Sequence, residues 1–247
     1  MPNRESSDRR AAPIGLRVED LTVLRAPSAV SAADWEALAA DLGRSPRGVV
    51  EIAARCACLR PIVVRTAPRL PDGQPFPTTF YLNSPNAVAG AARLEGGGVM
   101  ADMNRRLETD PVLAAAHRAA HADYLARRAE LGHVSEIEGI SAGGMPTRVK
   151  CLHALAAHAL AAGPGVNALG DETLVRLAAW WRPDRCACRG AAAGPPMPAR
   201  AEEASSVAPP ESAALAPPGG ALCRTPHPAA PADAQVGAAI VHLGKTP

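Results

Sequence analysis

The chain has 247 residues, of which 47% are hydrophobic and 20% charged, and its formal net charge is +2. So small a charge, with arginines scattered among acids, argues against a polyanion-binding surface, and no nucleic-acid partner is expected. No apolar run approaches the roughly 18 residues of a membrane span and none follows the basic start, so a cytoplasmic protein is expected.

In chain order, residues 1–30 are mixed and charged and are expected to be loosely ordered. Ser31 is a plausible N-cap for a short helix with apolar spacing through Trp35, Leu38 and Leu42 and a stop at Gly43. GVVEIAARCAC and PIVVRTAPRLPDGQPFPTTFYLNSP then carry β-branched and aromatic runs broken by the turn triplet Pro71-Asp72-Gly73. They predict two or three antiparallel strands. If the turn centres on Asp72, hairpin partners have numbers summing to about 144. Ser84 then falls opposite Arg60 and close to Cys58.

From Asn86 the pattern becomes helical, with two pieces separated by Gly96-Gly97-Gly98. Asp110 and Pro111 suit the start of a longer helix closed by Gly132. The glycine-rich SAGGMP leads into RVKCLHALAAHALAAG, and after PGVNALG a last helix, DETLVRLAAWW, stops before Pro183. Strands first and helices after make an α+β fold, a small antiparallel sheet followed by a mainly helical part. The single domain is expected over 31–188. From 189 to 247 proline, alanine, glycine and serine prevail with few large apolar residues, which predicts a disordered tail able to engage a protein partner.

Six cysteines in a cytoplasmic chain are poor candidates for disulfides, which leaves ligand, redox and inert core roles. Cys56 and Cys58, Cys151, and Cys186 and Cys188 form three groups, and Cys-x-x-Cys does not occur. On a continuous helix Cys151 and His158 align two turns apart, whereas His153 is rotated by about 160° from Cys151. Either the helix begins after Cys151, bending it toward His153, or only one of the histidines faces a site. A helix-start cysteine would also favour thiolate. Metal ligation, reactive thiol and core roles all stay open for Cys56, Cys58, Cys151, His153 and His158; mixed Cys/His ligation would suit zinc.

On the 110–131 helix, His117 and Tyr124 should point inward and His121 should border the apolar face. His-x-x-x-His lacks the glutamate of a zinc-protease motif. Gly143 and Gly144, with Arg148 and Lys150 beside a helix start, could hold an anionic or phosphorylated small molecule, or form an ordinary connection; the loop is not a Walker A sequence. No nucleophile elbow and no dinucleotide fingerprint occur.

Several segments resemble the bacterial family catalogued as domain of unknown function 501: Cys56 through Pro61, APRLPDGQPFPTTFYLNSP, RLEGGGVM, and SAGGMPTRVKCLHALAAHALAAGPGVNALGDE, together spanning about 45–181. The resemblance matches Phe76, Pro77 and Thr78 to a Pro-Phe-Pro-Thr motif and Cys151 and His153 to Lys-Cys-Leu-His. It matches Cys56 to a cysteine followed by proline and, two residues later, glycine. This chain departs at Ala57 and Leu59, and has Ser84 where a cysteine before proline is usual. If the family site is a metal or cluster site, the departure at Ser84 implies that this chain has lost one ligand or recruited Cys58; the resemblance carries no assigned activity. A non-catalytic interaction module is the alternative function.

Overall fold

The computed structural model describes residues 15–188 apart from positions 22, 26, 186 and 187. The tail expected over 189–247 and Cys186 lie outside the described residues. Among those described, no helix is long and apolar enough to cross a membrane.

β1 (Val49–Arg55), β2 (Pro61–Thr66) and β3 (Phe80–Leu82) form an antiparallel sheet in the order β1-β2-β3. β2 pairs with β3 through Val63–Leu82, Val64–Tyr81 and Arg65–Phe80. These pairs sum to 145, within one residue of the register expected from the turn, so Ser84, two residues beyond the end of β3, comes beside Pro61. β2 is the central strand and is buried at nearly every position, as a strand covered on both faces must be.

One face is covered by α1 (Ala32–Leu42), which seats Leu38 on Ile52 and Val64. Ser31 and Asp34 form the expected cap with reciprocal hydrogen bonds. The buried residues of this helix are Leu38 and Asp34, while Trp35 is exposed, because Asp34 receives the Arg55 guanidinium at 2.6 and 2.9 Å. The other face packs against the helical part. α2 (Pro85–Gly96) and α3 (Val99–Thr109) are separated at Gly97-Gly98, and α4 (Pro111–Ala129) starts on the Asp110 cap. α5 (Leu152–Ala162) contacts all three strands, α2 and α6 (Ala168–Leu177).

α5 is the central helix. Leu152 and Ala154 through Leu160 are all buried, and a helix apolar all round belongs inside. Its alanines let α6 approach so closely that a Cβ on Gly170 would lie 2.5 Å from the Leu155 carbonyl oxygen. α6 begins three residues before the expected Asp171, because Asn167 caps it by accepting from the Gly170 N–H at 2.9 Å. It ends at Leu177, short of the expected tryptophans.

The described residues of the 15–30 stretch are docked where loose order is expected. Val18, Leu21 and Val23 are buried in the main core, Leu24 and Ser28 bridge to Arg55 and Ile52, and Arg25 donates to the Leu160 carbonyl at 3.1 Å. A few spaced apolar residues are enough to dock a segment once a strand edge is available to pair with it.

Candidate functional site at the start of helix α5

Cys151 is the N-cap of α5 and is extended, with φ −152° and ψ 112°. The 160° separation that a continuous helix would impose therefore does not apply, and Cys151 Sγ lies 3.9 Å from His153 Nδ1. Glu95, in the last turn of α2, completes the group. Its Oε1 accepts the Leu152 N–H at 2.7 Å and lies 3.0 Å from His153 Nδ1. One donor atom each from Glu95, Cys151 and His153 all lie within 4.8 Å of one another. His153 Nε2 lies 3.1 Å from the Val88 carbonyl, which can only accept, so Nε2 carries a hydrogen. With acceptors on both ring nitrogens, the imidazole is pushed up to about 9, the Cys151 sulfur contributing most and Glu95 next, against the opposing effect of burial.

The loop before Cys151 is clamped from two sides. Asn104 on α3 takes both backbone groups of Val149, accepting the N–H at 2.7 Å and donating to the carbonyl at 3.0 Å. The Arg128 guanidinium donates to the carbonyls of Ile137 and Ile140 at the other end. Between them the loop folds on itself: Lys150 N–H donates to the Gly143 carbonyl at 2.7 Å and Arg148 N–H to that of Gly144 at 3.2 Å. A Cβ on Gly144, whose φ is 92°, would lie 2.7 Å from Arg148 O. The glycines thus serve loop closure, the amides of Arg148 and Lys150 are spent inside it, and the carboxylate at the α5 N-terminus is the chain's own Glu95. The Arg148 and Lys150 side chains are exposed.

Cys151 and His153 open onto a cleft of about 810 Å³, lined also by Pro77, Thr78, Phe80, Asn83 and Gly143. Tyr124 shapes this wall from beneath, its hydroxyl accepting the Thr79 N–H at 2.6 Å.

Cys56 and Cys58 do not join this group. They lie in the β1–β2 turn with Cys188, the three sulfurs within 4.8 Å of one another, and all are thiols. Cys56 is fully buried and its thiol is pushed up to about 11, first by burial and then by the neighbouring Cys58 sulfur, with the Cys58 N–H and Cys188 opposing. Burial and the nearby Cys56 also raise Cys188. Leu59, in this turn, is the one non-glycine residue with positive φ among those described, at 69°. Ser84 lines a small cavity with Arg60 and Cys188, and its side chain caps α2.

Residues 52–175 match the family model described as protein of unknown function (DUF501). The chain belongs to the DUF501 family. No curated protein and no solved structure matches it. The DUF501 segments quoted above bring Thr78, Asn83, Glu95, Gly143, Cys151 and His153 around a single cleft end. The position where the DUF501 resemblance has glycine, 59, is the left-handed residue of the turn.

His158 belongs to neither group. It is fully buried, with Nε2 2.8 Å from Asp123 Oδ1 and Nδ1 3.2 Å from Asn167 Nδ2, and its ring stacks on Phe80. Burial lowers its pKa more than Asp123 raises it. The alignment with Cys151 fails because seven residues of helix are about 10 Å of rise. His117 and Tyr124 are buried and His121 borders the face, bonding Ser141 Oγ at 2.8 Å. Glu95 is the residue sequence reasoning missed. One signal was available: an acid in the last turn of a helix opposes the helix dipole and needs a partner elsewhere.

Proposed function

We propose that this domain is a metal-binding protein whose zinc ion is held by Glu95, Cys151 and His153, with a fourth coordination position open to the cleft. The observation that carries the reading is the Val88 carbonyl. By holding the Nε2 hydrogen of His153 it leaves Nδ1 turned toward the Cys151 sulfur and the Glu95 oxygen, as an outer carbonyl does for a ligating imidazole. A divalent ion would replace the Nδ1 proton. One thiolate, one carboxylate and one neutral imidazole balance its charge, which lowers the cost of placing it in a half-buried site. Mixed sulfur, nitrogen and oxygen donors suit zinc, and three protein ligands with an open position are the arrangement of zinc sites that bind and polarise a ligand or water.

A simple reactive thiol is less well supported, because the Leu152 N–H that would favour a thiolate is given to Glu95. The test is metal content of the full chain purified in the presence of zinc, compared with Cys151→Ala and His153→Ala. Each variant is expected to carry one zinc fewer per chain while remaining folded by circular dichroism. Equal zinc content in wild type and both folded variants refutes the reading.

A further inference from the structure

The Cys56, Cys58 and Cys188 cluster lies outside that site and calls for its own account. Cys56 directly follows β1, and its N–H donates to the Arg60 carbonyl at 2.9 Å while its carbonyl accepts the Leu59 N–H at 2.8 Å, so the turn is held closed. Cys58 sits inside it. The segment after α6 returns to the same turn: Trp181 is buried, Arg182 pairs with Asp184 at 2.8 Å, and the Pro183 carbonyl accepts the Ala57 N–H at 3.1 Å. Cys188 follows that contact and places its sulfur with the other two.

We propose that Cys56, Cys58 and Cys188 form a second metal site, specific for a thiophilic ion such as zinc, that clips the segment after α6 onto the β1–β2 turn. Three sulfur donors with neither imidazole nor carboxylate among them select soft ions over magnesium or calcium. Tetrahedral zinc with bonds of about 2.3 Å needs sulfurs roughly 3.8 Å apart. The present spread, within 4.8 Å, requires only a small contraction. Three thiolates on a divalent ion leave one negative charge; Arg60, which is paired first with Asp41 at 2.8 Å, lines the same small cavity as Cys188 and adds a secondary favourable field. Ordinary core cysteines have no reason to gather from two distant chain segments with two of the three still partly exposed.

The experiment titrates cobalt(II), a spectroscopic substitute for zinc, into the reduced full chain carrying Cys151→Ala, which removes the first site. Cobalt should give an intense sulfur-to-metal charge-transfer band. Adding Cys188→Ser should weaken the binding by roughly a hundredfold or more. Alkylation of wild-type Cys58 and Cys188, followed by mass spectrometry, should slow by at least about tenfold with zinc. This second readout needs no variant to fold. The proposal is overturned if the Cys151→Ala chain shows no sulfur charge-transfer band, if Cys188→Ser leaves that band and affinity unchanged, or if zinc does not protect these thiols. A fall from two bound equivalents to one on Cys151→Ala bears only on the site at α5.

Discussion

Replacing Leu59 by glycine and by alanine separates backbone conformation from side-chain packing in the turn that carries Cys56 and Cys58. Leu59 has φ 69° and is 61% exposed. Its conformation is fixed on both sides, because its N–H donates to the Cys56 carbonyl and its carbonyl accepts from the Arg55 guanidinium at 2.9 Å. Both variants lose the same side-chain contacts. They differ in that alanine retains the left-handed cost of about 1–2 kcal/mol that glycine avoids. Glycine in turn gives up about 0.4–1 kcal/mol through the freedom it adds to the unfolded chain. The balance makes Leu59→Gly more stable than Leu59→Ala by about 0.8 kcal/mol, or about 2–3 °C in Tm for a domain of this size. Urea denaturation with a common m-value measures the difference. At an ordinary φ the order reverses, so an alanine variant equal to or more stable than the glycine variant refutes the reasoning.

Asp34 couples stability to acid. The Arg55 guanidinium hydrogen-bonded to it holds the carboxyl well below the usual carboxylate range, helped by Ser31. The unfolded carboxyl takes up its proton near pH 3.9 and the folded one only at lower pH, so the unfolded state binds more protons in between. The stabilisation is therefore complete above about pH 4 and is lost as pH falls, with a slope of at most about 1.4 kcal/mol per unit. Asp34→Asn should flatten that part of the stability profile, and identical acid limbs in the two proteins would exclude the role. Asn104→Ala should destabilise the chain by about 1–3 kcal/mol in urea, since it strips both backbone partners from the buried Val149. A change under about 0.5 kcal/mol would show that the clamp is dispensable.

The sheet was legible because its signals are local. A turn triplet between two β-branched runs fixes the hairpin register, and the observed pairing lies one residue from the expected sum. The closeness of Cys151 and His153 was also legible, as one of two arrangements helical geometry permits, and an extended Cys151 selects it. Glu95 was not, because 56 residues separate it from Cys151 and only the packing of α2 on α5 joins them. Asn167 hid its capping role behind a proline-glycine loop that read as a plain connection. The pattern also gave Cys188 no location, since its place depends on the chain turning back at Pro183 toward Ala57.

That return has a consequence for chain entropy. Cys56 follows the first strand and Cys188 the last helix, so an ion shared between them encloses β2, β3 and α2 through α6 in one coordination ring. An unfolded chain that kept the ion would have to hold a loop of about 130 residues closed, which costs about 5 kcal/mol in the simple chain-entropy estimate, so the ion leaves on unfolding. A bridging ion would therefore bind the folded chain in preference to the unfolded one. It would raise the unfolding free energy of the whole domain from a point at its edge, leaving the cleft at α5 unaltered.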